Sequence, residues 1–210
     1  MSAELFDAGT VQEQNETIAG ISRGESMSFE EADSGHVNPK YGTDRGYSIN
    51  CQTCVPVFEA RLRGYPVCAR GNTPGSMSSQ LAHQTNLIWI DPATGTHPDY
   101  IYNVWANSPK KYLAFINSTV KQGERYSIQF GWKNTERAGH IVNLDRTPSG
   151  QLRIKDNQRG PGERSEWIGD AAVLEYLSRM KYIGRNVPKL LRIDNMKFDH
   201  LVASQIMTGA

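Results

Sequence analysis

Three strand signals in close succession, Tyr126–Trp132, His140–Asp145 and Leu152–Asp156, constrain this chain more than any other feature. The last two are joined by Thr147-Pro148-Ser149-Gly150, residue types that favour chain reversal, so they form a hairpin. Helical patterns come before them. From Gln52 to Arg63 the apolar residues Val55, Phe58 and Leu62 recur at three and four residues, and Gly64 stands where a C-terminal cap belongs. Lys110–Lys121 carries a second apolar stripe through Leu113, Ile116 and Val120. After the strands, Ser165 is expected to cap a helix through Ile168, Val173, Leu174 and Leu177. Pro188–Ile193 reads as a returning strand and Phe198–Met207 as a closing helix. Helices first and a mostly antiparallel sheet afterwards make an α+β chain.

The remaining segments are shorter. Residues 1–27 are polar, with few large apolar side chains, and read as a flexible arm that orders on a partner. Residues 28–210 are expected to form a single domain, a size that suits one core. Ser28-Phe29-Glu30-Glu31 has the capping-box pattern of a short helix. Ser34–Tyr47, with Gly35, Pro39, Gly42 and Gly46, should be a loop, and Tyr65–Ala69 a short edge strand. Pro56 is best tolerated in the first turn of a helix, which moves the expected helix start from Cys51 towards Cys54.

Composition excludes several classes of function. A net charge of +1 lacks the basic excess of a dedicated nucleic-acid binder. No run approaches the roughly 20 apolar residues of a membrane span. The opening Met-Ser-Ala-Glu-Leu-Phe-Asp has no basic region followed by an apolar one, so synthesis in the cytoplasm is expected, with export left to a dedicated injection machine.

The three cysteines, Cys51, Cys54 and Cys68, do not make a disulfide framework. Cys51-x-x-Cys54 invites a zinc reading through Cys68 and one histidine, but a structural zinc site usually needs a second closely spaced ligand pair, which the chain lacks. No metal and no cofactor is expected. Either cysteine lies where the first long helix begins. There the unpaired N–H groups and the partial positive charge favour a thiolate and can hold an oxyanion. The bland reading makes both cysteines small buried apolar residues.

A nucleophilic cysteine needs a base. Among the five histidines, His36 and His97 fall in loops, while His83 and His200 fall in helices without an acidic partner at obvious spacing. His140 opens a strand just after Gly139, where the missing Cβ admits another backbone or a substrate. If Arg146 pairs with Gly150, His140 faces Asp156 across the hairpin. A loop one residue longer puts Asn157 there instead. Either side chain can orient an imidazole.

Tyr47-Ser48-Ile49-Asn50-Cys51-Gln52-Thr53-Cys54-Val55, followed by Phe58-Glu59-Ala60-Arg61-Leu62-Arg63-Gly64-Tyr65, resembles the signature of the papain-fold toxin family of the glutamine deamidase type. Gly139-His140-Ile141-Val142, Lys155-Asp156-Asn157-Gln158-Arg159-Gly160 and Leu191–Phe198 are similar to later segments of that family, in the same order. Asn157 stands where the family has proline. Trp89-Ile90-Asp91-Pro92-Ala93-Thr94-Gly95 is similar to a subgroup of phage and prophage minor head proteins.

The resemblance implies a papain-like cysteine hydrolase fold, with the cysteine helix packed on an antiparallel sheet that carries His and Asp. It implies Cys51, His140 and Asp156 as a triad acting on a protein carboxamide, by glutamine deamidation or peptide cleavage. Cys54 and Asn157 are the alternates, and Asn50, Gln52 and Gln158 would shape the site. The implied partners are a protein substrate and phage or secretion-system proteins, with the chain carried in a virion or delivered into a target cell. The alternative is a catalytically silent scaffold of a phage head or secreted assembly.

Overall fold

The hairpin that the sequence marks most strongly is the centre of a sheet. In the computed structural model, which describes residues 17–135, 138–160, 162–184 and 186–210, five antiparallel strands run in the order Glu166–Ile168, Leu152–Lys155, Gly139–Arg146, Tyr126–Gly131, Lys189–Arg192. They belong to a compact unit comprising Asp99–Asp156 and Arg164–Asp194. Period-two alternation sends Tyr126, Ile128, Phe130, Val142, Leu144, Leu152 and Ile154 to one face. The helices Pro109–Thr119 and Asp170–Leu177 share that core through Tyr112, Ile116, Val173, Tyr176 and Leu177. The opposite face is polar yet buried. On it Arg153 sits directly across from Asp145, and its guanidinium grips the carboxylate at 2.9 and 2.6 Å. Burial raises the Asp145 pKa, and Arg153 opposes that rise.

The register differs from both expected ones. Arg146 pairs with Leu152 rather than Gly150, because Thr147 N–H donates to Gln151 O and the reversal uses Pro148, Ser149 and Gly150. Gly150 takes φ +84°, the left-handed position that a three-residue hairpin loop needs. The slip from the first expected register is two residues, so every side chain keeps its face.

The other unit comprises, among the described residues, 17–98 with segments of 157–163 and 195–210. Its main helix is Cys51–Leu62. The helix begins at Cys51 rather than nearer Cys54, and Pro56 lies in its second turn. Proline cannot donate to the Gln52 carbonyl, but Asn50 O accepts both Thr53 N–H and Cys54 N–H and so closes the first turn ahead of it.

The far end of the helix is held as firmly. Gly64 has φ +98°, and a Cβ there would lie 2.5 Å from Gly24 O. Arg61 donates to Glu31 O and Val67 O. Arg63 pairs with the fully buried Glu59 at 2.8 Å, donates to Met196 O, and lies over the Phe198 and Trp89 rings. Small antiparallel pairs complete the unit: Thr17–Ile18 with Ile21–Ser22, Trp89–Ile90 with Lys197–Phe198, and Val67–Ala69 with Met207–Gly209.

Other local expectations are corrected. The Ser28 and Glu31 caps do bond reciprocally, at 2.7 and 3.2 Å, but they close turns and the helix itself is Ser34–Val37, inside the expected loop. His36 therefore lies on that helix rather than in a loop, with Nδ1 3.1 Å from Asp33. The expected loop ends in a 3₁₀ turn, Arg45–Ser48, capped by Asp44. Ser165 caps no helix. The next three residues join the sheet edge, and the helix starts at Asp170, after Gly169 at φ +82°. The closing helix is His200–Ile206, capped by Asp199, and Met207 already belongs to a strand. Residues 1–16 of the expected arm lie outside the described residues. Among the described residues, no helix is long and apolar enough to cross a membrane.

Arg63→Met removes the cation against which Glu59 is buried, while keeping much of the side-chain volume. Urea unfolding should show a loss of about 3 kcal/mol, far beyond that of an exposed arginine such as Arg164.

Candidate active site

On the sheet, His140 and Asp156 continue the two core rows past their last aliphatic residues. His140 is 7% exposed and Asp156 is fully buried. Because of the register they are diagonal neighbours on one face rather than directly opposite, still within reach of each other's side chains. His140 Nε2 donates to Asp156 Oδ2 at 2.9 Å. The carboxylate thus fixes both the tilt of the ring and which nitrogen carries a proton. Asp156 N–H donates to Ser165 O, extending the pairing with the edge strand beyond the last regular residue.

Two aromatic rings hold the imidazole from other sides. Trp132 stacks on it with centroids 5.3 Å apart and planes at 22°. Phe130, its cross-strand partner, meets it edge-on at 6.0 Å. Gly139 permits the entry into this arrangement, since a Cβ there would stand 2.9 Å from Phe130 O. The close approach at that glycine is to backbone.

In the other unit, Cys51 is the first residue of its helix and is partly exposed. Its Sγ donates to Gln52 Oε1 at 3.5 Å, and Gln52 Nε2 is anchored on Ser78 O at 2.8 Å. Cys54, one turn on, is 1% exposed, and its Sγ donates to Asn50 Oδ1 at 3.4 Å. Asn50 caps no helical N–H with its side chain. Instead its amide forms a reciprocal pair with the Asn38 amide at 3.1 and 3.2 Å and donates to Arg70 O. Asn38 also donates to Tyr47 O and to Gln158 O.

Asn157 and Gln158 belong to this same unit. Asn157 is 1% exposed, and the Gln158 backbone is part of the Asn38–Asn50 network. Cys68 is also buried, and burial raises its thiol pKa. Among the described residues, no three His, Cys, Asp or Glu side chains group as metal ligands would.

The structure therefore brings His140 to Asp156, and gathers Asn50, Cys51, Gln52, Cys54 and the Gln158 backbone round the helix start. A family model described as papain fold toxin 1, glutamine deamidase, matches residues 49–161, more than half of the chain. The chain belongs to this papain-fold toxin family. No curated protein and no solved structure matches it. The matched span contains every residue singled out above as catalytic or site-shaping. The mixture of helices and antiparallel sheet fits the α+β class expected of that family.

Two groups escaped the sequence reading. Trp132 was visible only as the end of a strand. Its place beside His140 follows from the alternation Ile128, Phe130, Trp132 once Phe130 is set opposite His140. Asn38 lay in the supposed loop and carried no local signal.

Alkylation of the native protein by iodoacetamide, followed by peptide mass mapping, should modify Cys51 first. Cys54 and Cys68 should react at comparable rates only after denaturant is added.

Proposed function

We propose that this papain-fold protein hydrolyses a protein carboxamide, with a glutamine side chain as its target, through Cys51, His140 and Asp156. The observation that carries the reading is the buried 2.9 Å bond from His140 Nε2 to Asp156, on a face where aliphatic side chains would otherwise continue. A buried ionisable pair in such a place is costly unless it is used or fully satisfied.

With Nε2 committed to the carboxylate, Nδ1 takes the Cys51 thiol proton. The thiolate sulfur adds to the carboxamide carbon, and the C–O π pair moves to oxygen. Asn50 O occupies the Thr53 and Cys54 N–H groups. The Cys51 and Gln52 N–H groups ahead of them receive the oxyanion. The imidazolium returns its proton to the nitrogen, the C–N bond breaks, and ammonia leaves a thioester. Water, deprotonated by His140, then attacks that carbonyl; the C–S bond breaks, the carboxylate departs and Cys51 recovers its proton.

Gln52, tied to Ser78 O and accepting the thiol hydrogen, sets the Cys51 side-chain direction. Cys51 is preferred over Cys54 because Cys54 is buried and its thiol already bonds Asn50. Asp156 is preferred over Asn157 because Asp156 bonds the histidine.

The test uses a peptide in which a diazoketone replaces the glutamine carboxamide, read by intact mass. Wild type and Cys54→Ser should acquire one label, Cys51→Ala none. His140→Ala should slow labelling about a hundredfold, and Asp156→Ala should slow it less. Equal labelling of Cys51→Ala would remove the proposed nucleophile. A wild type that stays unlabelled would favour the silent scaffold of a phage head or secreted assembly.

A further inference from the structure

Trp132 has a second neighbour besides His140. With Lys133, Asn134, Ser178 and Arg179 it lines an open cavity of about 430 Å³, within the same unit as the histidine. The floor is rigid: Lys133 N–H donates to Arg179 O, Lys181 N–H donates to Gly131 O, and Trp132 bridges to Met180.

Its rim is basic. Lys133 and Arg179 line it, and Arg164 stands behind, sharing Glu175 with Arg179. Glu175 thus pairs with Arg164 and Arg179, and no ion pair engages Lys133 among the described side chains. Arg179 is held in place, with its guanidinium 5.6 Å from both the Trp167 and Tyr176 ring centroids. Ser178 and Asn134 add a hydroxyl and an amide.

The geometry points to this cavity as a subsite for an acidic side chain of the substrate, a residue or two from the attacked glutamine. The inference rests on the proposed role of His140, whose ring is one stacking distance (5.3 Å) from the Trp132 wall. An extended substrate advances roughly 3.5 Å per residue, so a neighbouring side chain falls at the cavity while the carboxamide lies at the imidazole. Two cations on the rim, beside an aromatic wall, then meet a carboxylate. Glu175 competes for Arg179.

Two short glutamine peptides, alike except for Glu or Lys beside the glutamine, supply the probe. Binding to the Cys51→Ala protein is followed by the amide resonances of Lys133 and Ser178. The Glu peptide should bind about fivefold tighter, an advantage that high salt removes. Lys133→Glu should reverse the preference, and Glu175→Gln should increase it by freeing Arg179, with thermal unfolding of both variants unchanged.

Equal binding of the two peptides, binding of neither, or a preference that Lys133→Glu leaves intact would overturn the subsite. Any of these alongside normal diazoketone labelling would leave the hydrolase reading standing. A Glu preference without labelling would keep the cavity and remove the hydrolase.

Discussion

One buried amide decides where the cysteine helix can start. Asn50 is fully buried, its side chain is committed to Asn38 and Arg70, and its carbonyl accepts two helical N–H groups. A buried polar group of this kind is costly unless all its bonds are made. The chain cannot shift by a residue without breaking several at once. This outweighs the proline in the second turn, which taken alone would move the helix start towards Cys54. The position of Cys51 at the first helical residue, and hence any chemistry of its sulfur, follows from that network rather than from helix propensity.

The histidine strand shows a second kind of constraint. The hairpin turn could be read from its residues, but its register could not, because Thr147 and Gln151 extend the loop by a choice between near-equal turn geometries. What survived the error was parity. A slip of two residues keeps faces, and it converts His140 and Asp156 from directly opposed to diagonal neighbours that still bond. A slip of one would have put Asn157 on the histidine's face.

Much of the fold was legible for this reason of periodicity: the Pro109–Thr119 helix and the strands Tyr126–Gly131, Gly139–Arg146 and Leu152–Lys155 each carry an apolar repeat on one face. The misread segments lack one. Glu166–Ile168 is too short to show a period, and its neighbour Ser165 looked like a cap. Yet a three-residue strand on the sheet edge buries Trp167 against Tyr176. The turns round Ser28 and the Ser34–Val37 helix are held by long-range partners. Arg61 reaching Glu31 O, thirty residues away, is a contact that no local pattern announces.

The site was legible as residue types and not as surroundings. Cysteine, histidine and aspartate stand out in a sequence because few other residues do their chemistry. Trp132 and Asn38 do not stand out, and they contribute through position alone. A histidine bonded at one nitrogen can still swing about that bond. The Trp132 face at 22° and the Phe130 edge at 87° remove this freedom from two directions. Both rings arrive on one strand at alternate positions, directly across from the histidine's own strand. The sheet that makes the core therefore also aims the imidazole, and the same Tyr126–Gly131 strand that carries Ile128 into the aliphatic core leads on to Trp132 at its polar end.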